Sequence, residues 1–591
     1  VAPRNARLLT ISEWRESSAK FFWNTPAGNR KPNPSLKSRV DRMRNNEFQF
    51  FYGQYISIPK DDDWLTNPLT GYRYSKHTHW TKISTFNKVH GDIKYVWERS
   101  RFCFLYDMIR YDYHYQQDQS DWVFGKISDW IDSNVLNCGP NYVCSQEIAL
   151  RCLNWLFALN YYRKSKNLND ELFSKIIHNI YWQISHVYSN INFSRIAVRN
   201  NHTLTETLAL YVFGIMFPQF PEASTWKKNG KKWFCEELEY QIYPDGTFLQ
   251  YSMNYNRVVV QLITWAIALA RANQDNLDQI VSIKASKTLE FLLANLDGST
   301  GNLPNYGAND GALFFRLSDS SFRDYRPQLN ALSYLLSGTA IFEDSNSVEE
   351  LEWYGFKDFP TKDYEPTIGI RKFDDGGYYT YRDEDSLTFI RCGNHLNRPQ
   401  QADNLHLDLW YKGSNIMRDA GSYQYNTKTK WRDFFSGSRS HNTVMIENQD
   451  QMKRGPHFIW LNWSQCEMAE AYEDKDRFEF KGAIKAFQQL GHSIIHNRKV
   501  TKIKEEPRWI IEDSIQSPVS VNMSQIWNPG PDFDDEFDII AMDNQSNRIE
   551  PLTVDGWYSD TYGCKEKGIQ FMFNSSGNYV HTEIRTKKKS P

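Results

Sequence analysis

Two short stretches carry side chains able to do acid–base chemistry on an anionic ligand. One is Asn200–Asn201–His202. The other runs from Asp245 and Gly246 through Tyr251, Ser252 and Tyr255 to Arg257. Each stands at the head of a segment with helical hydrophobic spacing. Thr203, Leu204, Thr205 and Glu206 form a capping-box pattern, which predicts a helix start there. Leu204, Leu208, Tyr211, Val212 and Ile215 then recur at helical intervals. After Tyr255, the residues Val259, Leu262, Ile263, Ala266, Ile267 and Ala270 trace a buried stripe. Amide, imidazole and phenol groups are thereby set near the positive end of a helix, where free N–H groups favour an anion. Taken alone, both stretches read first as ordinary polar helix starts.

The elements that must position them follow from the rest of the chain. With 591 residues the chain exceeds one ordinary domain, and two or three are expected. Hydrophobic residues make up 40%, with no apolar run long enough for a bilayer, so no membrane partner is expected. A formal net charge of −2 gives no reason to expect nucleic acid. The aromatic share of 15%, with 20 Trp and 34 Tyr, suits both sugar stacking and core filling. The cysteines, from Cys103 to Cys564, form no CxxC pair, which argues against a zinc ribbon or a dense disulfide framework.

Residues 1 to about 90 are polar, aromatic and Pro-containing, and read as a wrapping segment. From about 100 to 340 helical periodicity dominates, as in Gln146–Tyr162, the segment from Val258, and Ile280–Asn295. A break at Phe359–Pro366 is followed by period-two segments, including Gly377–Tyr381, Leu387–Ile390, Leu405–Leu409, Thr443–Ile446 and Trp509–Ile511. The expected class is α+β multidomain: a helical domain over 1–365 followed by an antiparallel β-sandwich over 366–591.

The β half adds Arg398-Pro399-Gln400-Gln401-Ala402-Asp403-Asn404-Leu405-His406, then Arg418-Asp419-Ala420-Gly421-Ser422-Tyr423, then Ser440-His441-Asn442. With Asn-Asn-His before one helix, Ser-x-x-Tyr before another, and Leu303-Pro304-Asn305 to Asn309-Asp310-Gly311 between, this order resembles the heparinase II/III-like polysaccharide lyases. The resemblance covers most of the chain and rests on the joint order, since each motif alone is weak. It implies an incomplete (α/α) toroid joined to the sandwich. It also implies β-elimination beside a uronic acid in an anionic polysaccharide, with glycosaminoglycans of hyaluronan, chondroitin or heparan type not separable. Such chemistry must stabilise the uronate carboxylate while the C5 proton leaves, and a base and an acid must handle that proton and O4.

By the same resemblance Asn201 neutralises the carboxylate with His202 beside it, and Tyr255 is the proton-transfer residue. Gln401, Arg257, Tyr423 and Glu206 are the expected substrate contacts, Arg257 being equally open to a structural role. Many relatives have His-Ala-Asp where this chain has Gln401-Ala402-Asp403, so an ionisable group is missing. Three readings follow: Tyr255 makes both transfers (the favoured one), His202 is the base, or Gln401 is an inactivating substitution. Strand parity would place 401, 403, 405 and 407 on one face and turn His406 away. Asp403, Asp419 and His441 match a structural divalent metal site, zinc by its mixed ligands or else manganese or calcium. No organic cofactor is expected. The chain opens on Val1-Ala2-Pro3 with no signal-type segment, and reads as processed or trimmed. The family implies a bacterial periplasmic or secreted setting, with the cytoplasm left open. Two other readings fit the sequence: a glycoside hydrolase using Glu206 with Asp310, and a polysaccharide-binding protein without turnover.

Overall fold

The computed structural model describes residues 8–22, 31–87 and 89–587. Its first part is helical. Ser145–Tyr161, Asp170–Asn192, Asn201–Met216, Ala223–Gln241, Met253–Ala272, Gln279–Asn295 and Arg326–Ser337 pack on one another as the incomplete toroid. Each buries an apolar face in one continuous core that includes Trp155, Phe213 and Trp265. Two glycines set the closest crossing, between Asn201–Met216 and Ala223–Gln241. A Cβ on Gly230 would stand 2.5 Å from the Tyr211 nitrogen, and Gly214 meets the Lys227 backbone reciprocally. The helix Pro34–Arg44 is tied to the toroid through Arg39, whose Nε lies 2.8 Å from Asp107, so part of the early chain is built into the domain.

The last helix before the sandwich ends at Trp353, and the first sandwich strand begins at Gly369. Five strands, Gly369–Phe373, Tyr378–Arg382, Ser386–Arg391, Leu407–Tyr411 and Ser414–Met417, form a sequential antiparallel sheet. It packs on a seven-stranded antiparallel sheet that includes Arg477–Ala486, Ile494–Ile503 and Arg508–Gln516. A four-stranded sheet carrying Val444–Ile446 and Met523–Trp527 completes the domain. Their inward residues, among them Leu407, Phe480, Trp509 and Trp527, make a second core.

Specific polar contacts fasten the two parts. Arg382 donates to the Leu296 carbonyl at 2.8 Å, and Asn305 donates to the Ser559 carbonyl at 2.9 Å. Tyr251 accepts the Leu396 N–H at 3.0 Å. Tyr251 is thus a docking residue for the 394–398 loop.

Candidate active-site cleft

The cleft forms where the starts of two toroid helices face the sandwich. The first start departs from the expected capping box. A π-helical stretch Phe193–Val198 ends in Arg199 with a left-handed φ of 43°, and Asn200 caps the helix by accepting the His202 N–H at 3.0 Å. The helix therefore begins at Asn201, two residues earlier than Thr203. This frees Thr203 to bond the Ser194 carbonyl at 2.8 Å and turns Glu206 onto the Ser194 hydroxyl at 2.7 Å. Asn201 donates its backbone N–H to Gln250 at 3.1 Å. Its side-chain Oδ1 is buried with no hydrogen-bond partner among the described residues.

At the second start, Ser252 accepts the Tyr255 N–H at 3.1 Å and donates to the Ala308 carbonyl. The 303–311 loop can lie this close because Gly307, with φ of 85°, has no Cβ to strike the Tyr251 and Ser252 backbone. The loop delivers Asp310, whose carboxylate pairs with Lys94 at 2.8 Å. Tyr255 points into the cleft and shares a 2.6 Å hydroxyl–hydroxyl bond with Tyr425 from the sandwich. Lys94 also lies 4.2 Å from the centre of the Tyr425 ring.

The surrounding cavity holds about 320 Å³ and is lined by Asn201, His202, Tyr255 and Asp310 from the toroid, with Gln401 and Tyr425 from the sandwich. Its wall is cationic: Lys94, Arg398, Arg432 and Arg454 all reach it. Arg432 and Arg454 are shared with Asp433, while Arg398 forms no ion pair among the described residues.

Burial acts on two of these groups in opposite senses. It lowers the His202 imidazole to about 4, so the ring is neutral at ordinary pH; its Nδ1 rests 3.7 Å from Cys144 Sγ. Burial, then the Asp310 charge and Tyr425, push the Tyr255 phenol well above its usual value. Asp310 is held below the carboxylate range although burial opposes this, because Lys94 and Arg101 outweigh it.

Several expected substrate contacts lie elsewhere. Glu206 is buried behind the Asn201 turn, does not line the cleft, and is pushed up to about 8 by burial. It therefore makes no carboxylate pair with Asp310 there, and Asp92, the remaining acid of the lining, is bound by the Tyr562 hydroxyl at 2.6 Å. Arg257 sits about 200° around the helix from Tyr255. It is wholly buried, bonded to Asn254 at 2.8 Å and placed 4.3 Å from the Tyr325 ring centre, and does not line the cleft. Tyr423 has a left-handed φ of 53° and packs 5.5 Å from the Phe435 ring outside the lining. That turn carries the chain round so that Tyr425 enters instead. Gln401 does line the cleft, with Nε2 on the Phe435 carbonyl at 3.3 Å and Oε1 without a partner among the described residues.

The metal candidates also rearrange. His406, Asp419 and His441, all fully buried, place one ligand atom each within 4.8 Å of one another, and Asp403 falls outside that group. The parity expectation for His406 fails because the strand starts only at Leu407 and Leu405 has φ of 59°, which breaks the alternation. His406 Nδ1 accepts the Asn442 N–H at 3.0 Å, so the neutral ring keeps its proton on Nε2 and is a poor ligand there. Asp419 and His441, joined at 2.8 Å, carry no such constraint, and His441 Nε2 is unpartnered. Burial would depress His441, but Asp419 and then Asp403 raise it, so Asp403 stands near enough to be felt. Asp403 Oδ1 is also without a hydrogen-bond partner among the described residues, so Asp403, Asp419 and His441 supply ligand types that a divalent cation takes, although Asp403 lies outside the 4.8 Å group.

Tyr425 and Lys94 escaped the sequence reading. Tyr425 had a faint signal as the second tyrosine of Ser422-Tyr423-Gln424-Tyr425; Lys94 had none.

Comparison with known proteins agrees with this architecture. The heparinase II/III N-terminus model matches residues 38–297, and the heparinase II/III-like C-terminal model matches 365–587. A heparin-sulfate lyase of Bacteroides thetaiotaomicron is 25% identical over 352 residues, covering 55% of this chain and 47% of that protein. The heparin-sulfate lyase of Pedobacter heparinus is 20% identical over 445 residues, covering 72% and 60%. The chain thus matches only about half to three-fifths of these relatives' lengths. The crystal structure of heparinase III superposes with a TM-score of 0.70 at 15% identity, over 98% of this chain and 89% of that one. A heparan sulfate lyase structure from Pedobacter heparinus gives 0.58 at 17%, over 98% and 88%. At such identities the structural likeness speaks for the fold alone.

Proposed function

Because the chain belongs to the heparinase II/III-like family, we propose that it is a polysaccharide lyase cleaving a heparan-type glycosaminoglycan by β-elimination. The observation that carries this is the convergence of Asn201, His202 and Tyr255 in one cation-walled cleft between toroid and sandwich. Arg and Lys suit the carboxylates and sulfates of such a chain, and the names of the relatives favour heparan over hyaluronan or chondroitin.

In this reading the Asn201 amide holds the uronate carboxylate and stabilises the charge that develops as C5 loses its proton. The electron pair of the C5–H bond becomes the C4–C5 double bond, and the C4–O4 bond breaks. O4 leaves with a proton. Environments that push two titratable groups apart assign the acid and the base. Tyr255, kept as the phenol, is the donor to O4. His202, kept neutral, is in the form that accepts the C5 proton. Tyr425, 2.6 Å from Tyr255, positions that hydroxyl and can return a proton to it.

We also propose a structural divalent ion held by Asp403, Asp419 and His441, bracing the sandwich beside the cleft. Bound there, it would fix the side chains of three separate loops and takes no part in the elimination.

The test is ultraviolet absorbance of the unsaturated uronate during incubation with heparan, hyaluronan, chondroitin and alginate. A rise with heparan is expected. Saturable heparan binding with no rise on any polymer would overturn the lyase reading and favour a binding protein, for which Gln401, lacking an ionisable group, is the motive.

A further inference from the structure

An aromatic contact spans the mouth of the cleft. Phe86 comes from the toroid side, between the short turn Trp80–Lys82 and the helix Lys94–Ser100. His457 and Phe458 come from the sandwich side, at the tip of the hairpin Lys453–Arg454 and Trp460–Leu461. The Phe86 ring centre lies 4.7 Å from His457 and 5.7 Å from Phe458. Those are contact distances for aromatic rings, and no sugar chain fits between them. Phe458 in turn lies 5.4 Å from Tyr425, whose hydroxyl meets Tyr255. The bridge therefore stands one ring away from the reacting phenols.

Its two sides differ in firmness. The hairpin is braced: Gly455 donates to the Ile459 carbonyl at 2.8 Å, Trp460 donates to the Gln400 carbonyl at 3.1 Å, and Arg454 stacks 4.1 Å over Trp460. Phe86, by contrast, is 49% exposed. A large ring left half in water gains by resting on the opposite lip. The cavity behind the bridge agrees with closure. Its volume of about 320 Å³ lies at the small end of the range of roughly 300–1,000 Å³ that buries one small ligand. That is room for a short stretch of sugar chain beside the bridge.

We infer that the Phe86–His457–Phe458 bridge closes one end of the cleft, so that the protein takes its polysaccharide by the chain end and not from the middle. This rests on the lyase reading for its turnover consequences, while the closure itself bears equally on binding.

The experiment has two arms. In the first, absorbance and polymer size are followed together on long heparan chains. Unaltered protein should release disaccharide-sized product from the outset while the bulk chain length falls slowly. Phe86→Ala and, separately, Phe458→Ala should raise the share of longer oligosaccharides severalfold at equal absorbance. A rapid collapse of chain length with the unaltered protein, unchanged in both variants, would overturn the bridge. In the second arm, calorimetry compares a tetrasaccharide with a polymer blocked at both ends. The unaltered protein should bind the tetrasaccharide and not the blocked polymer, and Phe86→Ala should bind both. Equal binding by the unaltered protein overturns the inference even if no turnover is found. Absence of absorbance with the expected binding pattern would instead sink the lyase reading and leave the bridge standing.

Discussion

Glu206→Gln should make the protein more stable near neutral pH, and by an amount that depends on pH in a definite way. Glu206 is 1% exposed and, among the described residues, bonded only to the Ser194 hydroxyl, and its burial lifts the carboxyl from 4.5 to about 8. The folded state thus holds this proton more tightly than the unfolded chain does. Its stabilising contribution is complete below about pH 4.5 and is lost as pH rises from there through about 8. Near pH 7 the loss is about 3 kcal/mol, at about 1.4 kcal/mol for each pH step. Glutamine cannot ionise, and its amide can donate to the Ser194 hydroxyl and accept from it as the protonated acid does. Urea unfolding followed by far-ultraviolet circular dichroism, comparing the same transition in both proteins, measures the gap. The gap should be near zero at about pH 4, about 3 kcal/mol at pH 7, and larger still at pH 8. A gap of the same size at every pH, or a variant less stable at pH 7, would refute the reasoning. Turnover should be unaffected because Glu206 does not reach the cleft. A raised KM with unchanged kcat would restore the substrate contact that the sequence led one to expect.

Tyr255→Phe should lower kcat by roughly 10²–10⁴-fold while sparing binding, as loss of a proton-transfer group does. Tyr425→Phe should cost less, and the double variant should be no worse than Tyr255→Phe; independent, additive losses in steady-state assays would show that the two hydroxyls do not act together. Asn201→Ala should reduce kcat by roughly 10²–10³-fold, and a near-normal rate would reassign the carboxylate contact. With His202 lowered to about 4, kcat/KM should show no inflection near 6.5 and fall only toward pH 4; an inflection near 6.5, or a steady rise toward pH 10 as a phenolate forms, would move the base elsewhere. Elemental analysis of protein purified without chelator should find about one divalent ion per chain, and His441→Ala should lose it; no ion in the parent protein would dismiss the site.

Much of the fold could be read from periodicity because burial imposes it. The stripe after Tyr255 is apolar since Met253–Ala272 is buried along nearly its whole length, and the strand around Trp509 alternates because one face meets a core, whereas Ser386–Arg391 is buried on both faces. The starts of elements were less legible. Thr203 and Glu206 have the types of a capping box, yet Asn200 can cap too, and the left-handed Arg199 before it decides the matter. Spacing also misled where it was applied outside its element. Arg257 follows Tyr255 closely in sequence but points away around the helix, and His406 lies before the strand whose parity was used to place it. Tyr425 and Lys94 were hard to find because both matter through contacts between residues far apart in sequence, Tyr425 with Tyr255 and Lys94 with Asp310.

The missing histidine at position 401 looks different once the cleft is assembled. Gln401 spends its amide nitrogen on the Phe435 carbonyl, a contact that holds the wall of the site and needs no charge. The titratable groups line the same cleft from the toroid. His202 is stripped of its proton by burial, and Tyr255 is made to keep its own by burial and by Asp310, while Lys94 keeps Asp310 ionised. Removing Lys94 would free Asp310 to take up a proton, and the pressure on Tyr255 would weaken with it. The proposed acid and base are therefore both set from the toroid side, with the sandwich contributing Tyr425, the cationic wall and the hairpin. A change at Gln401 should accordingly act on the shape of the cleft before it acts on its protons.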